Sequence, residues 1–162
     1  MFKPFLLTLT TLLCLSSCMP ERLPIDEDPN QRQAAVKAAR AYMNALQTQD
    51  FDTAVAMSGY PFWLDRTIMP SADLLEKEYR RELDGDNELG RWKLLRARFY
   101  SREDMEIFAE RLVKRLSDKN IPTEHFVVLQ YEDQRGDRKR SENILLMMAF
   151  EEGQWRVYGL ED

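Results

Sequence analysis

Residues 143–150 read NILLMMAF, an unbroken apolar stretch from Ile144 to Phe150 with no alternation. Successive side chains of a β-strand point to opposite faces of its sheet. A strand that is apolar at both parities has no face to give to water, so it belongs inside a sheet covered on both sides. This one segment rules out a lone hairpin and demands cover above and below. Its neighbours in sequence are strand-like too. EHFVVLQYE at 124–132 precedes it across a polar turn around Gly136, and QWRVYGL at 154–160 follows a tight turn at Glu151, Glu152 and Gly153.

The earlier part of the chain supplies helices. Between Gln31 and Thr48, Ala35, Ala38, Ala39, Tyr42, Ala45 and Leu46 fall on one helical face, and their small size implies close packing. Asp50, Phe51 and Asp52 open a second short helix that ends near Ser58 and Gly59. YPFWL at 60–64 reads as a strand, turned by Asp65 and Arg66 into a short second one, TIM. Ser71 suits the N-cap of a helix through Leu83. Residues 84–90 form a loop, Arg91 to Tyr100 a strand, and residues 102–119 a helix striped by Met105, Phe108, Ala109, Leu112 and Leu116. Helices first and an antiparallel sheet last make the class α+β. Ile144, Leu146, Met148 and Phe150 point one way, whereas Leu145, Met147 and Ala149 point the other. The N-terminal helices take one face. The second is covered either by another copy of the chain, giving a homodimer through the sheet, or by helix 102–119.

Upstream, Lys3 is followed by an apolar run from Phe5 to Leu15, a charged start and hydrophobic core of signal-peptide length. The run is shorter than the roughly 20 apolar residues that span a bilayer. Leu15-Ser16-Ser17-Cys18 resembles the lipobox of bacterial lipoproteins. The resemblance implies removal of residues 1–17 and a Cys18 carrying a thioether-linked diacylglycerol and an N-acyl chain, with palmitate among the acyl groups expected. Two or more chains hold a protein stably on a membrane. Localisation follows as an expectation: the bacterial cell envelope, with the domain periplasmic or extracytoplasmic. Met19 rather than Asp after the cysteine favours the outer membrane in a Gram-negative host. Residues 18–30, with three prolines and an acidic cluster at Asp26, Glu27 and Asp28, read as a tether. Residues 31–162 are the globular domain.

The chain has two cysteines, Cys14 in the signal and Cys18 at the lipid site. No thiol then remains for a disulfide, a metal or a nucleophile, and stability rests on core packing. The net charge of −5 becomes about −6 once Lys3 is removed. An acidic exported chain is a poor partner for nucleic acid.

AYMNALQTQDFDTAVAM at 41–57, the Pro-Phe strand after it and the closing EGQWRVYGL together resemble the nuclear transport factor 2-like (cystatin-like) superfamily. The resemblance covers most of residues 31–162. It implies a strongly curved sheet wrapping a long helix to form a conical pocket, often dimeric through the sheet. Helix 102–119 departs from that pattern as an extra element between strands. Members include isomerases, dehydratases, binding proteins and secretion-system scaffolds, so fold does not select function.

Tyr42, Trp63, Asp65 and His125 are the candidate pocket residues. Tyr42 stands eight residues before Asp50, as does the oxyanion-stabilising Tyr of the superfamily's ketosteroid isomerases, and Asp65 lies one residue off the place of their proton-shuttling Asp. A buried Tyr donor and an Asp base suit proton abstraction beside a carbonyl. Those isomerases also use a protonated acid on a late strand, where this chain has Leu146, Met147, Met148 and Ala149. His125 is the one histidine, without partners for a nucleophilic triad or a His-based metal site. Asp84, Asp86 and Glu88 suggest a calcium loop, but Leu89 and Leu95 occupy its Gly and Glu places. Arg91, Lys93, Arg96 and Arg98, interleaved with Trp92, Phe99 and Tyr100, would make an anion- or glycan-binding strip. Neither strand parity collects all four, so the strip coheres only if a bulge intervenes. RGDRKR at 135–140 is a basic turn. The expectation is a lipid-anchored, non-catalytic domain that uses no cofactor or metal and binds a small ligand or an envelope protein. The alternatives are a small isomerase or lyase using Tyr42 and Asp65, or an envelope-assembly scaffold.

Overall fold

The computed structural model describes residues 28–83, 92–133 and 140–162. Cys18, the loop at 84–90, Arg91 and most of the basic turn at 135–140 lie outside the described residues.

Helix α1 (Pro29–Gln47) begins where Asp28 accepts the Asn30 backbone N–H at 2.8 Å, with proline at its first turn. Proline is tolerated there because its missing N–H would be unpaired anyway. The helix stops at Thr48 because Gln49 turns left-handed (φ 57°), so that Asp50 N–H donates to Ala45 O and Gln49 N–H to Leu46 O. Asp50 then caps the short helix α2 (Phe51–Ala56) by accepting from Thr53 N–H. Strands β1 (Ser58–Leu64) and β2 (Thr67–Met69) follow, then helix α3 (Ala72–Leu83) and strand β3 (Trp92–Ser101). Helix α4 (Arg102–Asp118) precedes strands β4 (His125–Asp133), β5 (Ser141–Glu151) and β6 (Gln154–Glu161). The Tyr60–Pro61 peptide bond is cis.

The six strands form one sheet in the order β2-β1-β6-β5-β4-β3. All neighbours run antiparallel except β1 and β6, which are parallel. β5 is interior, as an apolar strand without a polar parity requires. Its Ile144, Leu146 and Met148 face α1 and pack with Ala35, Ala39, Tyr42, Met43 and Leu46. Met147 and Ala149 face the other way and pack with Met105, Leu112, Val113 and Leu116 of α4. The extra helix therefore covers Met147 and Ala149 on the second face, while Leu145 beside them stays partly buried.

Helix α4 differs from its expected stripe at one residue. Ser101 and Asp104 form a capping box at its start. Ala109 then leaves helical geometry (φ −144°, ψ 44°) and shifts the phase of the turns around it. Met105, Leu112, Val113 and Leu116 stay seated, whereas Phe108 is 74% exposed and Ile107 78%. The Phe108 ring leans on Tyr100 instead, at a centroid distance of 6.3 Å.

Two glycines allow the β1–β6 seam. A Cβ on Gly59 would lie 2.2 Å from Cζ of Tyr158, and one on Gly159 would lie 2.9 Å from the Trp63 carbonyl oxygen. A side chain at Gly159 would press on the β1 backbone, and one at Gly59 would displace the Tyr158 ring.

Candidate functional site

Leu64 pairs with Thr67, so Asp65 and Arg66 make a two-residue hairpin turn. Both have positive φ (42° and 72°), the geometry that matches strand twist and that Asp tolerates better than most side chains. The turn carries Asp65 to the mouth of a cavity of about 340 Å³ between α1, α3 and the concave face of the sheet. Its volume lies in the usual range for small-molecule sites. Met43 and Leu46 of α1, Met69, Leu83, Trp92 and Ile144 give it apolar walls. Among the described residues its charged lining groups are all acidic: Asp65, Glu78, Glu82 and Asp162. Arg81 pairs with Glu78 and Glu82 and Arg66 adjoins Asp65, yet among the described residues carboxylates still outnumber cations around the opening.

Asp65 feels this directly. Partial burial and then the Asp162 and Glu161 charges raise its pKa above the ordinary carboxylate value, while the Asp162 backbone N–H and Arg66 oppose the rise. Such a mouth attracts a ligand with a positive or hydrogen-donating end and repels an anion.

Tyr79 lines the cavity and leads into the core. Its hydroxyl lies 2.5 Å from that of Tyr42, which lies 3.1 Å from Ser58 Oγ, and Ser58 donates to Ala54 O at 3.0 Å. Ser58 has one proton and gives it to the carbonyl, so Tyr42 donates to Ser58 and Tyr79 donates to Tyr42. Burial raises the pKa of both phenols, and for Tyr79 the neighbouring Tyr42 adds to the rise. The relay holds neutral hydroxyls in the core. It does not aim Tyr42 at a substrate: Tyr42 is fully buried behind Tyr79.

The four candidate pocket residues are therefore not one site. Asp65 lines the mouth and Tyr42 stands behind the wall. Trp63 lies on the opposite face of the sheet, under α4, where its Nε1 donates to Glu161 Oε2 at 3.0 Å and Arg115 stands 6.0 Å over its ring. The reason is parity: Phe62 points into the cone, so Trp63 points out of it. His125 is buried between the rings of Phe99 and Trp155, at 5.3 and 5.2 Å. Its β5 partner Met148 is four residues, roughly 14 Å, along the strand from the cavity-lining Ile144. Sequence reasoning missed Tyr79, Glu78 and Glu82, although Leu75 and Tyr79 at i and i+4 mark the inner face of α3 beside which both acids fall. Among the described residues no cluster of three His, Cys, Asp or Glu side chains is placed to hold a metal ion, and no helix is long and apolar enough to cross a membrane.

No protein-family model and no curated protein matches the chain. Solved structures do. A protein of unknown function with a cystatin-like fold from Nostoc punctiforme is 10% identical with a TM-score of 0.54, over 82% of this chain and 90% of that one. An NTF2-like protein of unknown function from Pseudomonas putida is 8% identical with a TM-score of 0.53, over 82% and 85%. Aln2 from a Streptomyces species is 11% identical with a TM-score of 0.51, over 86% and 91%. At such identities the likeness is one of architecture: helices on a curved six-stranded sheet, the NTF2-like or cystatin-like fold.

Proposed function

We propose that this protein is a bacterial envelope lipoprotein, anchored through lipid on Cys18, whose cone binds a small apolar ligand with a positive or hydrogen-donating end and does not transform it. The sequence supports the anchor through Leu15-Ser16-Ser17-Cys18 behind a charged, apolar leader. One observation carries the non-catalytic reading: the Tyr42 hydroxyl is engaged by Tyr79 and Ser58 inside the core, while Asp65 sits at the mouth among other carboxylates. An oxyanion donor and a base must converge on one reacting atom, and these two do not.

Both halves are testable separately. The parent chain should partition into detergent after expression in a bacterial host, and Cys18→Ser should abolish both that partitioning and cleavage before residue 18. Equal partitioning and identical cleavage of the variant would remove the anchor. The purified protein should leave an enolisable 3-keto steroid unchanged. Turnover that disappears in Asp65→Asn would establish the isomerase alternative instead.

A further inference from the structure

Strand β3 carries a bulge. Leu94 stands opposite Tyr131 of β4, yet Arg96 stands opposite Gln130, so Leu95 is an extra residue with no partner across the ladder. In a regular strand Lys93 would face away from Arg96 and Arg98. The inserted residue flips the parity, and Lys93, Arg96, Arg98 and Tyr100 all pair with the even-numbered β4 residues Glu132, Gln130, Val128 and Phe126. Three cations and a phenol thus share the outer face of the sheet, remote from the cone.

The cross-strand neighbours decide what this face is for. Lys93 stands opposite Glu132, but Arg96 faces Gln130 and Arg98 faces Val128, both uncharged. The next strand continues in kind, with Asn143 opposite Gln130 and Leu145 opposite Val128. Arg96, Arg98, Tyr100, Val128, Gln130 and Asn143 enclose a groove of about 430 Å³. Arg98 reaches toward the Tyr100 hydroxyl, at 3.5 Å. Residues two apart on a strand are about 6.8 Å apart, so the guanidinium groups offer two forks in a row along the groove. Two carboxamides opposite them add both donors and acceptors, and the phenol adds a flat apolar wall.

We infer that this groove binds a carboxylate-bearing glycan, an oligosaccharide of uronic acids. Successive carboxylates take Arg96 and Arg98, hydroxyl groups take Gln130 and Asn143, and a sugar ring packs on Tyr100. A simple inorganic anion would use the arginines alone and leave the amides and the ring idle. The inference is independent of the cone, of its ligand and of the lipid anchor.

The full chain in a detergent without a sugar head should bind an oligogalacturonate hexamer by calorimetry at about 50 mM salt and should not bind neutral maltohexaose. Arg96→Gln/Arg98→Gln should weaken the hexamer about tenfold or more. Asn143→Leu should weaken it several-fold while leaving the salt dependence as in the parent. Lys37→Gln/Arg40→Gln, which removes exposed cations of α1, should leave affinity within about twofold of the parent. The variants change exposed residues, and an unaltered thermal midpoint confirms folding. Absence of hexamer binding, equal loss in the α1 variant, or inorganic phosphate binding as tightly as the hexamer would each overturn the assignment.

Discussion

The Tyr42 hydroxyl is the middle link of a buried chain that runs from Tyr79 to the Ala54 carbonyl. Tyr42→Phe removes a donor from Ser58 and an acceptor from Tyr79, both buried. It should lower stability by about 1–3 kcal/mol, seen as a lower urea midpoint at unchanged slope. An unchanged midpoint would mean that the relay contributes nothing. Asp65 acts in the opposite direction. Its folded-state pKa is raised, so the folded protein holds that proton more tightly than the unfolded chain does. Its favourable contribution is complete below the ordinary carboxylate value and disappears as pH rises through the folded-state value. At neutral pH the ionised side chain therefore costs stability. Asp65→Asn, which keeps a residue suited to the left-handed turn, should be more stable than the parent at pH 7. The gap should close on acidification to about pH 3. A parent protein that is the more stable at pH 7 would contradict this electrostatic account of the mouth.

Elements were readable where a local pattern alone decides them. Helix α1 shows its stripe, β5 its double-sided apolarity, and the hairpin turns their Asp-Arg and Glu-Gly pairs. Features set by distant partners were not readable. The Ala109 break that exposes Phe108 has no glycine or proline to announce it, and the bulge at Leu95 exists only as a mismatch of register with β4. For the same reason the sequence marks Tyr42 and does not mark Tyr79. Tyr42 sits in a legible helical stripe, whereas its hydrogen-bond partner lies 37 residues on. The β1–β6 seam belongs to this second kind, and Gly59 tests it. Gly59→Ala drives a methyl into the Tyr158 ring, whose hydroxyl is tied to Glu151 Oε2 at 2.7 Å. The loss should be about 1–3 kcal/mol by chemical denaturation, as for other overpacked sites. Full stability in the variant would show that the seam yields more easily than the contact implies.

At the scale of the molecule, one interior strand sets the design. β5 needs cover on both faces, α1 and α4 supply it, and among the described residues each side of the sheet keeps an opening to solvent. The concave side holds an apolar cavity with an acidic mouth, and the outer side holds a cationic groove. In a protein of net charge −5 this segregation gives the two openings opposite local signs. On the function proposed above, the cone selects its ligand by shape and by positive charge. The full chain is titrated with 1-adamantylamine and with 1-adamantanecarboxylate, which share one rigid cage and differ in the sign of their polar end. Binding is read by calorimetry, with Leu46→Trp to fill the cavity. The amine should bind at least about tenfold more tightly than the carboxylate, and Leu46→Trp should abolish the difference. Equal or tighter binding of the carboxylate, or amine binding unaffected by Leu46→Trp, would contradict the account.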